Sequence, residues 1–127
     1  MRFLSSCERL TRLPYWWCDM LKNLANHYFS AFARKDLSCL RDAFSEDVNL
    51  RDWNMSAYGL ADVLQANASI FEALDIIAVD VVNIYESGTT VIAEIIIAAT
   101  NLEPIKVVDI LTFNSSSKIQ SVRAYKG

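Results

Sequence analysis

Glycine and proline are scarce in this chain, at three and two residues of 127. That leaves little material for linkers or structureless stretches, and the length suits one hydrophobic core. Cysteine is scarce as well: Cys7, Cys18 and Cys39 form no Cys-x-x-Cys pair and have no histidine at metal-ligand spacing. The pattern argues against a zinc site, and the odd, sparse count fits a reducing compartment. No glycine-rich phosphate loop and no Ser/His/Asp constellation is present, which argues against a nucleotide or nicotinamide enzyme. The 12 Lys and Arg are scattered, and the formal charge of −3 disfavours a nucleic-acid partner. No run approaches the roughly 18 apolar residues that cross a membrane. Near the N-terminus the apolar run stops after two residues, and Glu8, Arg9 and Arg12 keep it from resuming. That is not a secretory leader, and the cytoplasm is the expected location.

What is present is a globular composition, 53% hydrophobic and 21% charged. Residues 1–19 read as an extension, since Pro14 blocks a continuous helix, and Tyr15, Trp16 and Trp17 should cover an apolar surface here or on a partner. Residues 20–127 read as the domain. Leu21, Leu24, Ala25, Tyr28, Ala31 and Phe32 recur at helical spacing, which predicts a helix over about 19–34 with Asp19 as N-cap. A short helix over 37–44 comes next, capped by Asp36, then a strand over 47–53. A loop holding Gly59 leads to a third helix over 60–74, striped by Leu60, Val63, Leu64, Asn67, Phe71 and Leu74. Four strands complete the chain, over 76–86, 90–100, 106–113 and 119–125, the first two joined by a hairpin turn at Ser87-Gly88. The near-continuous apolar run at 91–97 suggests a strand buried on both faces. Helices first and an antiparallel meander afterwards predict an α+β fold with helices on one face of the sheet.

Three polar residues stand where this pattern asks for apolar ones. Tyr28 lies on the inner stripe of the first helix, Asp52 comes after Val48 and Leu50 on one strand face, and Asp109 lies between Val107 and Leu111. A carboxyl on an apolar face loses solvation and its pKa rises, so two carboxyls and a phenol in one domain suggest a pocket for acid/base work. Each has a plainer reading. Tyr28 is a core residue with its hydroxyl at the rim, Asp52 caps a turn at a strand end, and Asp109 faces solvent if Val108 and Ile110 are the buried pair. Alternation alone does not choose, because both faces of residues 107–113 are largely apolar. Asn67 interrupts its stripe and is a candidate to present an amide to a ligand; Glu94 and Asp80, in apolar strands, are candidates to line the pocket or its rim, and His27 points to another helix face than Tyr28.

The stretch from Asn26 to Trp53, NHYFSAFARKDLSCLRDAFSEDVNLRDW, resembles the opening of ketosteroid isomerases and SnoaL-like proteins. It has a Tyr in the first helix, an Asp-Leu step, an Ala-Phe before an acidic pair, and a strand ending in an acidic residue. The segment from Val107 to Gly127 resembles the family's closing hairpin. The resemblance implies a cone-shaped, curved, mostly antiparallel sheet wrapped by three helices, the cystatin-like or nuclear transport factor 2-like fold. Carried over residue by residue, it implies Tyr28 as an oxyanion-hole tyrosine, Asp52 as a general base and Asp109 as a protonated second donor. It implies proton transfer next to a carbonyl of an apolar small molecule, with no metal and no organic cofactor, and a homodimer paired through the sheet. Trp53, which replaces the isomerases' proline after the base, joins Asn67 and Phe113 as an expected ligand contact. A binding module without turnover and an association domain are the alternative readings.

Overall fold

The computed structural model describes residues 20–127. The expected extension at 1–19, the Asp19 cap, the aromatic triplet at 15–17, Cys7 and Cys18 lie outside the described residues. Helix α1 spans Met20–Ala33 and buries Leu21, Ala25, Tyr28, Phe29 and Ala31, so the helical stripe is the packed face. It ends where Lys35 takes a left-handed φ of 58°. The Asp36 N–H reaches back to the Ala31 carbonyl (3.0 Å) and the Lys35 N–H to the Phe32 carbonyl (3.0 Å). These two bonds satisfy carbonyls that the helix end would otherwise leave open. Asp36 then caps helix α2, Leu37–Ala43, by accepting the Cys39 N–H at 3.1 Å, as the sequence predicts.

Strand β1 runs over Phe44–Arg51, three residues earlier than the pattern at 47–53 suggests, because Phe44 already has extended backbone and is buried. A three-residue strand β2, Ser56–Tyr58, pairs antiparallel to β1 in place of the expected plain loop. Gly59 precedes helix α3, Leu60–Ala73, with a φ of 88° that favours glycine. The remaining strands are β3 (Ile76–Ser87), β4 (Thr90–Ala99), β5 (Ile105–Phe113) and β6 (Ile119–Lys126). Gly88, with φ 60°, makes the tight turn between β3 and β4.

The six described strands form one sheet in the order β2-β1-β6-β5-β4-β3. All neighbours are antiparallel except β1 and β6, which run parallel. Register shifts interrupt the β1–β6, β3–β4 and β5–β6 ladders, and such bulges bend a sheet. The α+β architecture, with the helices on the inner face of a curved sheet, is the expected one. The core lies between them: Val91, Leu111, Val122, Val48 and Val63 are almost wholly buried, each contributing about 1.5–3 kcal/mol by leaving water. Strand β4 departs from the expectation of burial on both faces. Val91, Ala93, Ile95, Ile97 and Ala99 are buried, whereas Glu94 is exposed and Ile92, Ile96 and Ala98 are only half-buried. The outer face of β4 is therefore largely apolar apart from Glu94, and the described residues cover it only in part. No helix of the described residues is long and apolar enough to cross a membrane.

Candidate functional site

Between α1, α3 and the concave face of the sheet lies a cavity of about 490 Å³, within the range of small-molecule sites. Its wall is mostly aliphatic and aromatic, including Phe29, Phe32, Ile95, Ile97, Val107 and Val122. Four of the residues singled out in the sequence, Tyr28, Asp52, Asp109 and Trp53, line it as well.

Asp109 reaches the cavity through strand register. Along β5 the side chains of Val107, Asp109, Leu111 and Phe113 alternate inward and are all buried. The face that alternation leaves undecided is thus the inner one. Asp109 stands opposite Ala93 on β4 and Ala124 on β6, two small neighbours that leave room beside its carboxyl. Burial, and next the nearby Asp52 carboxylate, push its pKa up from the ordinary carboxylate range to about 7. No hydrogen bond from another described residue reaches this carboxyl, so none among the described residues offsets its loss of solvation.

Tyr28 is held by helix α1 and packed by aromatic rings. Its ring centroid lies 5.3 Å from that of Phe29, 6.5 Å from Phe32 and 5.8 Å from Phe44. Burial and the neighbouring Asp109 charge raise its pKa well above the usual phenol value. The phenol therefore keeps its proton and serves as a donor.

Asp52 sits one residue beyond β1 rather than inside a strand. Its Oδ1 accepts the N–H groups of Asn54 (2.7 Å) and Met55 (2.8 Å), and its own N–H donates to the Met55 carbonyl (3.0 Å). This Asx-type turn swings the chain back into β2. Asp52 therefore caps the turn, as its plainer reading has it, and also lines the cavity. Its Oδ2 carries no hydrogen bond from another described residue and is the oxygen available to a ligand.

Two expected ligand contacts do not reach the cavity wall. Asn67 is buried, but its Nδ2 donates to the Val63 carbonyl of its own helix at 2.9 Å; a lone amide under a sheet finds its nearest acceptor one turn back. Phe113 is buried in the core one pair of residues beyond Leu111, past the end of the cavity. Conversely, Lys126 lines the mouth although sequence reasoning passes over it, with its Nζ 6.0 Å from the centre of the Trp53 ring. It shares strand parity with Val122 and Ala124, which is the available signal. Met55, from the turn, and Ile70, Ala73 and Leu74, from the end of α3, complete the wall. Among the described residues no group of three His, Cys, Asp or Glu side chains is placed to hold a metal ion.

Comparison with known proteins places this geometry. The search of curated proteins found no match. Among solved structures, the chain superposes on SalBIII, an epoxide hydrolase/cyclase-like enzyme of pyran ring formation in polyether salinomycin. That match has a TM-score of 0.75 and 19% identity, over 86% of this chain and 92% of the other. It is similar in fold to a provisionally named ketosteroid isomerase from Kribbella flavida DSM 17836 (TM-score 0.73, 16% identity, 86% and 78% covered). A bacterial protein of cystatin-like fold from Silicibacter pomeroyi DSS-3 is a further structural relative (TM-score 0.70, 17% identity, 82% and 73% covered). Residues 25–122 match the family model of the SnoaL-like domain, and with the cavity, the curved sheet and its three helices this makes the chain a member of the SnoaL-like family.

Proposed function

We propose that the cavity binds an apolar carbonyl compound and that the chain moves a proton at the carbon next to that carbonyl, as an isomerase or cyclase that needs neither metal nor organic cofactor. One observation carries the reading: two buried proton donors, Tyr28 and Asp109, face the same apolar cavity as the Asp52 carboxylate. In such a site Asp52 Oδ2 takes the proton from the carbon. The electron pair moves onto the carbonyl oxygen, and the Tyr28 and Asp109 O–H groups donate to the enolate so formed. Asp52 then returns the proton at a different carbon, which isomerises the substrate. Alternatively, the enolate carbon attacks an electrophile in the same molecule, which closes a ring. Burial makes the donors effective, since a hydrogen bond to developing charge is stronger where water is excluded.

The test is a titration with equilenin, a phenol that mimics the enolate, on the wild type, Asp52→Asn and Tyr28→Phe. Removing the charge at residue 52 should tighten binding severalfold, and removing the Tyr28 hydroxyl should weaken it by about tenfold or more. Binding that ignores both changes would leave an apolar ligand site and remove the proton-transfer reading. The engagement of Asp52 Oδ1 by two backbone N–H groups is the observation that favours this second, non-catalytic reading.

The outer sheet face supports a homodimer. Exposed Val82, Tyr85 and Tyr125 adjoin half-buried Ile92, Ile96, Val108 and Ile110 across three registered strand pairs. Light scattering at micromolar concentration should give twice the chain mass, and a monomer there overturns the pairing.

A further inference from the structure

Among the described residues, two carboxyls and a single cation, Lys126, line the cavity. The position of Lys126 comes from register. Val122, Ala124 and Lys126 alternate onto the inner face of β6, and Lys126 pairs with Val107, itself buried in the cavity wall. Ala124 is the cross-strand partner of Asp109. Lys126 therefore lies one inward-facing step, about 7 Å along the sheet, from the row that holds the inner donor. The ammonium bends over the Trp53 ring at the mouth, a contact that screens it weakly. The ion pairs among the described residues are Arg34–Asp36 and Lys35–Asp75. Lys126 thus has no carboxylate of the described residues to answer it, although Asp52 lines the same mouth. The Asp52 Oδ1 is turned into its own backbone loop.

We propose that Lys126 is a specificity-determining residue, and that it selects a small apolar molecule bearing a carboxylate at the end opposite its carbonyl. The inference rests on the cavity being the ligand site of the proposed proton transfer. Within that cavity the polar groups fix one orientation. The carbonyl end meets the Tyr28 and Asp109 donors inside, the apolar body fills the aliphatic wall, and the carboxylate meets the Lys126 ammonium at the rim. The reversed ligand is disfavoured, because its carboxylate would lose its water at the buried inner end and give up the Lys126 ammonium. The Asp52 charge disfavours an anion on its own side of the mouth, which restricts the carboxylate to the Lys126 side.

The probe pair is 6-hydroxy-2-naphthoate and its methyl ester. They share a phenol at one end of a flat apolar body and differ at the other end by one charge. Calorimetric titration at pH 6, where the probe carboxyl is ionised, gives the ratio of carboxylate to ester affinity within each protein. That ratio cancels any general effect of a substitution on the fold. The wild type should favour the carboxylate by about fivefold, the effect of one partly exposed ion pair. Lys126→Gln should bring the ratio to one or below, Lys126→Arg should preserve it, and added salt should erase it. A wild type that binds the ester as tightly as the carboxylate overturns the assignment, as does a preference that survives in Lys126→Gln. Binding of the ester without any preference overturns this inference alone. Failure of both probes to bind removes the ligand-site reading and this inference with it.

Discussion

At the inner end of the cavity Asp109 projects from the middle of β5, between Ala93 and Ala124, with no donor among the described residues to satisfy it. At the mouth Asp52 projects from a turn whose N–H groups it binds at 2.7 and 2.8 Å. The same functional group is thus held in two ways. A regular strand offers no spare backbone donors, because its N–H groups are spent on the ladder, so a carboxyl on its inner face keeps its proton instead. A turn does have spare donors, and Asp52 binds two of them while it shapes the chain. The difference shows how one apolar cavity can hold two carboxyls of identical chemistry in unlike surroundings.

The largest expected effect tests the inner end. In the native state Asp109 holds its proton up to about pH 7, whereas in the unfolded chain it loses it near pH 4. Between those values the native state binds more protons, so stability falls as pH rises, and the cost is complete above pH 7. Asp109→Asn has no charge to bury. It should stabilise the protein by up to about 4 kcal/mol at pH 8 and by almost nothing at pH 4. Urea unfolding at the two pH values measures this, and a gain independent of pH breaks the contrast between the two ends.

A smaller effect sharpens it. Tyr28→Phe keeps the ring stack with Phe29 and Phe44 and removes one donor, so equilenin affinity should fall by about 1.5–3 kcal/mol while stability changes by less than about 1 kcal/mol. At the mouth, Asp52→Ala strands two backbone N–H groups and should cost about 1–2 kcal/mol of stability. Asp52→Asn retains an acceptor oxygen and should stay within about 0.5 kcal/mol of the wild type. Equal losses for Ala and Asn in thermal melts would show that the turn does not depend on this side chain. Smallest of all, Trp53→Ala should change stability by no more than about 0.5 kcal/mol, since the ring is 43% exposed.

The layout of helices and strands is legible in the sequence because its signals are repeated: the stripe from Leu21 to Phe32 and the alternation along β5 each restate themselves over several residues. Single-residue signals are less secure. Asp109 lies between two apolar faces, so only the pairing of β5 with its neighbours settles which face is inner. Asn67 looks like a ligand contact because it interrupts a stripe, but a buried amide can be satisfied by its own helix, and periodicity does not register that bond. Strand β2 has three residues, too few for an alternation to show. Lys126 escapes notice because a lysine near a strand end usually means solvent; its meaning depends on Trp53, which lies far away in sequence. The outer face of β4 has the same cause in reverse, since an apolar run suggests burial on both faces although the described residues bury only one.

The one parallel pairing among the described strands joins β1 to β6. Asp52 comes directly after the first of these strands, while Lys126 ends the second. Between them lie β2, α3 and three further strands, so a long loop must close before the pairing can form. During synthesis the helices and the β3–β4 hairpin can form on local contacts, but the mouth has no second side until β6 has emerged and threaded between β1 and β5. The pocket is therefore among the last parts of the molecule to exist, and a chain arrested short of β6 leaves the backbone edges of β1 and β5 unpaired together.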